Sequence, residues 1–336
     1  MRYDSHCHLS PEINEKLYHD SVREYLRIKD FPINLMMTNH IDENIIRLIL
    51  QDDNILENEC IRLNVGIHPW FSHLYTFLKK YVGETSESFK KRHYESVLEK
   101  YSKKINSSID ALLEVLPEPI PISKKIAEFN KLISLSFGNR INIGEIGLDK
   151  FARIPLSGYL CNPVVSTTGL SNYKVTMSHQ IQIFEQFLEL AIQFNKSCSI
   201  HCVGGYGLMY DIIKQSKVTR IVMHSYSGSV DSALMLRKLP GKNVWFGISD
   251  FVNFCNGISD KVKELIPLIS DRILVETDFG IDKMGNDHFE YVDEVITKLS
   301  KVGIDLDNLW QNWLLFCDGE DKNNNPGYKT YTQSYK

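Results

Sequence analysis

Two histidines one residue apart, in Asp4-Ser5-His6-Cys7-His8, are the first residues of this chain suited to chemistry. Alternate side chains of an extended strand share a face, so His6 and His8 point one way and Cys7 the other. Two neutral imidazoles converging from one face suit a divalent cation, and each needs a hydrogen-bonding partner to fix its ring. Asp4 is the expected partner. An ordinary buried strand can carry the same pair, so the remaining titratable residues have to decide.

Four of them fall at the ends of other short apolar runs. Glu145 lies in Ile143-Gly144-Glu145-Ile146-Gly147, His201 in Ser199-Ile200-His201-Cys202, His224 in Val222-Met223-His224-Ser225, and Asp278 in Val275-Glu276-Thr277-Asp278. Two divalent ions roughly 3.5–4 Å apart need an anion between them, and a carboxylate spans the pair where an imidazole cannot. Glu145 is the candidate bridge. Asp278 would hold one metal and accept a proton from the attacking water, whose pKa a bound metal lowers toward about 7.

The runs that carry these residues set the architecture. Tyr3–Leu9, Asn34–Thr38, Arg62–His68, Ile141–Gly147, Ser199–Val203, Arg220–His224, Val244–Ile248 and Ile273–Glu276 read as strands with helical segments between them. Gln180–Asn195 is one such segment, with Ile181, Phe184, Phe187, Leu188, Ala191 and Ile192 at helical spacing. Eight strands alternating with helices predict a (β/α)8 TIM barrel, whose sites form at the C-terminal ends of the strands. One barrel domain over 1–318 is expected, followed by a polar tail over 319–336. Two connections are long. Residues 71–140, with Leu116-Pro117-Glu118-Pro119-Ile120-Pro121, predict an insertion of two or three helices and a rigid turn. Residues 149–176 predict an irregular excursion. Both follow strands and so would lie on the C-terminal face, around the pocket.

A net charge of -4 argues against a general electrostatic grip on nucleic acid. In the insertion, Lys79, Lys80, Lys90, Lys91, Arg92, Lys100, Lys103 and Lys104 could follow a phosphate backbone. Glu84, Glu87, Glu95 and Glu99 interleave with them, which favours a solvated face laced with ion pairs. Seven cysteines without CxxC spacing read as reduced thiols. No apolar leader opens the chain and no stretch has the length of a membrane span, so a cytoplasmic protein without a membrane or an obligate protein partner is expected, with the nucleus left open.

Asp4-Ser5-His6-Cys7-His8-Leu9, Gly66-Ile67-His68-Pro69, Gly144-Glu145-Ile146-Gly147-Leu148-Asp149, Ile200-His201-Cys202, His224-Ser225-Tyr226-Ser227-Gly228 and Glu276-Thr277-Asp278 resemble the ordered signature of the TatD family of metal-dependent hydrolases, in the amidohydrolase superfamily. The resemblance implies a two-metal site, with zinc, manganese or magnesium as the ions, and deoxyribonuclease-like cleavage of DNA or a small phosphodiester. It carries over His6 and His8 as ligands of one metal, Glu145 as the bridge, His201 and His224 as ligands of the second, and Asp278 as ligand and base. Substrate contacts are expected from His68, Tyr206 and Ser225; His68 also reads as a cap on the turn before Pro69.

The chain departs from the family pattern where it grips phosphate. Val203 follows His201-Cys202 where the nucleases usually carry arginine, and Trp70 stands where a second histidine is frequent. His201-Cys202-Val203-Gly204-Gly205-Tyr206-Gly207 is more similar to a eukaryotic, Scn1-like branch. Aromatic contacts from Tyr206, Tyr226 and Phe279 could stack on a base, while Trp245 reads as core. The alternatives are hydrolysis of a non-nucleic ester, lactone or amide, and a silent barrel kept as a binding or scaffold protein.

Overall fold

Among the described residues, buried runs, rich in Ile, Leu and Val in all but the first, form eight parallel strands, as parallel sheets between helices require. They are β1 (Asp4–His8), β2 (Ile33–Met36), β3 (Ile61–Val65), β4 (Ile141–Asp149), β5 (Cys198–Val203), β6 (Arg220–Met223), β7 (Asn243–Ser249) and β8 (Ile273–Glu276). The structure is a computed structural model describing residues 2–9, 15–39, 42–105, 108–135, 140–165 and 167–319. Spatial order equals chain order, β1 through β8, the arrangement of a (β/α)8 TIM barrel.

The ring closes where β8 meets β1. Asp278 donates its N–H to the His6 carbonyl at 2.9 Å, and His8 donates to Phe279 at 2.8 Å. The first and last site-bearing strands are therefore tied together by the backbone of the site residues themselves. β1 carries a bulge between Asp4 and Cys7, which shifts the face that each residue takes.

Helix Met177–Phe194 packs on the barrel through Ile183, Phe184, Phe187, Leu188 and Ala191. Ile192, assigned to that stripe from the sequence, lies at its edge and is 37% exposed. Trp245 is buried against Phe316, their ring centroids 5.6 Å apart.

Between β3 and β4 lie helices Ser86–Val97, Asp110–Val115 and Ile122–Ile133. Leu98–Lys100 pairs antiparallel with Tyr173–Val175, joining this segment to the loop after β4. Three buried histidines fasten both to the turn Pro69–Leu74. His93 Nε2 lies 2.8 Å from the His73 carbonyl, His179 Nε2 3.0 Å from that of Ser72, and His73 Nε2 3.0 Å from that of Gly158. Three basic residues of the segment face carboxylates: Arg92 on Glu84 at 2.8 Å, Lys91 on Glu95 at 3.8 Å and Lys80 on Glu118 at 3.6 Å. All seven cysteines are free thiols. Among the described residues no helix is long and apolar enough to cross a membrane. Residues 320–336 of the predicted tail lie outside the described residues.

Candidate metal centre

The strand ends bring the predicted residues to one mouth. His6 and His8 project from β1 with their Nε2 atoms 3.1 Å apart. Glu145, buried on β4, reaches between two groups of imidazoles. Its Oε2 lies 3.4 Å from His6 Nε2 and 3.5 Å from His8 Nε2. Its Oε1 lies 3.0 Å from His201 Nδ1, 3.0 Å from His224 Nε2 and 3.3 Å from His68 Nε2. Asp278, just past β8, sets Oδ1 3.2 Å from His8 Nε2 and 3.9 Å from His6 Nε2. One carboxylate thus touches five rings, two with one oxygen and three with the other. His8, His68, Glu145, His201, His224 and Asp278 border a cavity of about 360 Å³, with His6 buried behind them.

Tyr206 and Ser225 are not among the described residues bordering that cavity. Tyr206 lines a neighbouring hollow, its hydroxyl 3.2 Å from Ser227 Oγ. Ser225 donates to Asp278 Oδ2 at 3.0 Å and lies 2.7 Å from Ser249 Oγ. Ser225 and Asp278 both hold positive φ, 41° and 58°, sparsely populated backbone for side chains of their kind. A hydroxyl bridging two strand ends at such a corner orients the Asp278 carboxylate.

Asp4 does not orient the rings of His6 and His8. The bulge in β1 turns it to the outer face with Cys7, where it accepts from Thr277 Oγ1 at 2.6 Å, from the Thr277 N–H at 3.1 Å and from the His6 N–H at 3.0 Å, and lies 2.7 Å from His288 Nε2. It fixes the β8–β1 seam. The partner of His6 is Ser199, whose hydroxyl lies 2.8 Å from Nδ1. Asp149 partners His201, with Oδ2 3.4 Å from Nε2, and is itself held by the Trp70 indole N–H at 2.8 Å. Glu276 accepts the Ser225 N–H and sits 3.5 Å from His224 Nδ1. Gly247 makes its room, since a Cβ there would fall 2.0 Å from Glu276 Oε2. Strand alternation was the available signal for two of these: Ser199 is two residues before His201, and Glu276 two before Asp278.

His68 borders the cavity and takes the capping role. It caps the turn Pro69–Leu74, its Nδ1 accepting the Trp70 N–H at 3.2 Å. In the neutral ring Nε2 therefore carries the hydrogen and offers it toward Glu145. Burial holds His68 neutral, its pKa pushed down to about 4.

The electrostatics of the cluster favour a cation. Burial opposes charging His8, His201 and His224, yet the neighbouring carboxylates outweigh it and raise all three. Burial likewise opposes ionising Glu145, and the His224 charge with the hydrogen bonds of His201 and His224 overcomes it, holding the carboxyl well below its usual range. Nitrogens whose proton affinity is raised by facing anions attract a metal ion for the same reason. The spacing is close to what a metal needs: ligand nitrogens about 2.1 Å from a tetrahedral zinc stand about 3.4 Å apart, and the His6–His8 separation is 3.1 Å. His6, His8 and Glu145 form one grouping of the right size, and His201 and His224 each stand 3.0 Å from the other oxygen of Glu145. The donor set fits a metal.

The model of the TatD-related DNases matches residues 3–313. The chain belongs to the TatD family. An uncharacterized deoxyribonuclease of Saccharomyces cerevisiae is 32% identical over 288 residues, covering 83% of each chain. The Cut9-interacting protein scn1 of Schizosaccharomyces pombe is 30% identical over 250 residues, covering 63% of this chain and 70% of that one. In fold, the TatD homologue YjjV of Escherichia coli superposes with a TM-score of 0.57 at 14% identity, over 94% of this chain and 97% of its own. This TatD-family barrel is thus a hydrolase acting on ester bonds, in a family whose members depend on metal.

Proposed function

We propose that this chain hydrolyses phosphodiester bonds with two divalent ions, zinc, manganese or magnesium. His6, His8, Glu145 and Asp278 would hold one ion and Glu145, His201 and His224 the other. The observation that carries this reading is the single carboxylate of Glu145 set between two groups of imidazoles. When bound, such ions polarise a phosphoryl oxygen and lower the pKa of a water molecule.

The chain's own residues supply the rest. Asp278 borders the cavity; its Oδ2 accepts from Ser225, and Oδ1, beside His8, would hold the ion with one lone pair and keep the other to take a proton. Water adds to phosphorus, its proton passes to Asp278, the bond from phosphorus to the ester oxygen breaks, and that oxygen leaves with a proton from solvent. His68, neutral and carrying its hydrogen on Nε2, donates to a phosphoryl oxygen. Ser225, Ser199 and Asp149 hold Asp278, His6 and His201 in place. DNA is the substrate class that the DNase family suggests.

Bis(p-nitrophenyl) phosphate, tested with each metal in turn on the wild type and Asp278→Asn, checks the reading. Turnover should fall about 10²-fold or more in the variant, the scale of a lost general base. Full retention of rate refutes the role of Asp278. Hydrolysis confined to lactones or amides refutes the phosphodiester reading.

A further inference from the structure

Behind the metal mouth lies a buried polar chain that the proposed hydrolysis does not use. Tyr25, in helix Arg23–Arg27, and Lys29, just past it, meet His288, the first residue of helix His288–Lys301, and His288 in turn meets Asp4 on β1. Asp4 and His288 are fully buried, and Tyr25 and Lys29 are each 9% exposed.

The direction of these hydrogen bonds follows from the donors present. Burial lowers the pKa of Lys29 to about 8, which leaves it an ammonium at neutral pH. An ammonium can only donate, and Lys29 Nζ lies 3.2 Å from His288 Nδ1, so Nδ1 accepts, from it and from the Tyr25 hydroxyl. Nε2 then carries the hydrogen of the neutral ring and gives it to Asp4 Oδ2 at 2.7 Å. Lys29 rests on the Phe31 ring, its Nζ 3.5 Å from the centroid, which favours an ammonium in the interior. Asp4, Cys7 and His288 stand close enough together to grip a cation. Asp4 is already filled by four donors, however, and an ammonium stands beside the ring, so the group is a hydrogen-bond chain.

The inner end of the chain acts on two metal residues at once. Asp4 Oδ1 accepts the His6 N–H at 3.0 Å and the Thr277 N–H at 3.1 Å, while Oδ2 is held by His288 and by Thr277 Oγ1. Thr277 precedes Asp278, whose own N–H closes on the His6 carbonyl at 2.9 Å. One carboxylate oxygen thus spans the seam between β1 and the end of β8, and the spacing of His6 from Asp278 depends on where it stands. A paired, buried network holds such a group in one position.

We infer that Tyr25, Lys29 and His288 are positioning residues of the metal centre: through Asp4 they fix the spacing of His6 from Asp278, and so the affinity for the ion those two share. The inference rests on the metal assignment proposed above and adds residues that lie outside it.

Calorimetric titration of the chelator-stripped full chain with manganese, and the visible spectrum of its cobalt(II) form, test it in His288→Leu, His288→Gln and Tyr25→Phe. In His288→Leu one binding step should weaken about tenfold, the lower end of what an orienting contact is worth, and the cobalt bands should shift. His288→Gln, whose amide N–H can still reach Asp4, should restore wild-type affinity and spectrum. Tyr25→Phe, which removes one hydroxyl, should weaken the same step about fivefold, the equivalent of one hydrogen bond. A merely structural role would lower Tm and leave both binding steps and the spectrum unchanged, and that result overturns the inference. Should His288→Leu fail to fold, Tyr25→Phe decides by the same criteria. Amide hydrogen exchange needs no metal: the Thr277 and Asp278 amides should exchange about fivefold faster in Tyr25→Phe, with β4 and β5 unaltered. If the wild type binds no ion, the metal assignment falls by itself. Faster exchange at the seam then supports the clamp, and unchanged exchange overturns it.

Discussion

Ser199→Ala removes the hydroxyl 2.8 Å from His6 Nδ1 and leaves every residue proposed to hold metal in place. Ser199 is fully buried, so the change is confined to the interior behind the cluster. Without that partner the ring can move its hydrogen to Nε2, and a protonated Nε2 has no lone pair to give a metal. Loss of such an orienting contact weakens metal binding about 10- to 100-fold, or about 1.4–2.7 kcal/mol. The lost hydrogen bond costs the metal-free fold about 1 kcal/mol, a fall in Tm of about 1–2 °C for a barrel of this size. Calorimetric titration of chelator-stripped protein with manganese or zinc, paired with thermal melts, reads both quantities. Unaltered affinity at every binding step refutes Ser199 as the orienting partner. A collapse in Tm by tens of degrees refutes the separation of site from scaffold.

Gly247→Ala places a methyl 2.0 Å from Glu276 Oε2 and must push that carboxylate off the Ser225 N–H and His224; a destabilisation of about 1–3 kcal/mol with weakened metal binding should appear in urea unfolding and in titration. His224→Ala and Glu145→Ala should lose bound metal by elemental analysis while circular dichroism stays that of the barrel; unfolding with metal retained contradicts the assignment. His93, buried with its pKa pushed down to about 4 from an ordinary 6.5, binds its proton more readily in the unfolded chain. Its contribution to stability is therefore complete above about pH 6.5 and is lost as the pH falls toward about 4, on the order of 3 kcal/mol in all. His93→Gln should flatten the dependence of urea midpoints on pH over that window, and an unchanged dependence refutes it.

The sequence alone determined the barrel and the identity of the clustered residues, because both follow from local chemistry. Apolar runs such as Ile141–Gly147 are strands whatever surrounds them, and Glu145, His201, His224 and Asp278 stand at strand ends, where a barrel gathers its site. Only the tertiary structure decided which groups hold those residues. A one-residue bulge in β1 turns Asp4 away from the rings and gives its expected task to Ser199, nearly two hundred residues on in the chain. Ser225, expected against substrate, donates to Asp278, and Trp70 orients Asp149 while presenting its ring to the mouth. Residue type and spacing place a side chain along its own strand; its partners come from other strands, and their register is set only when the ring closes.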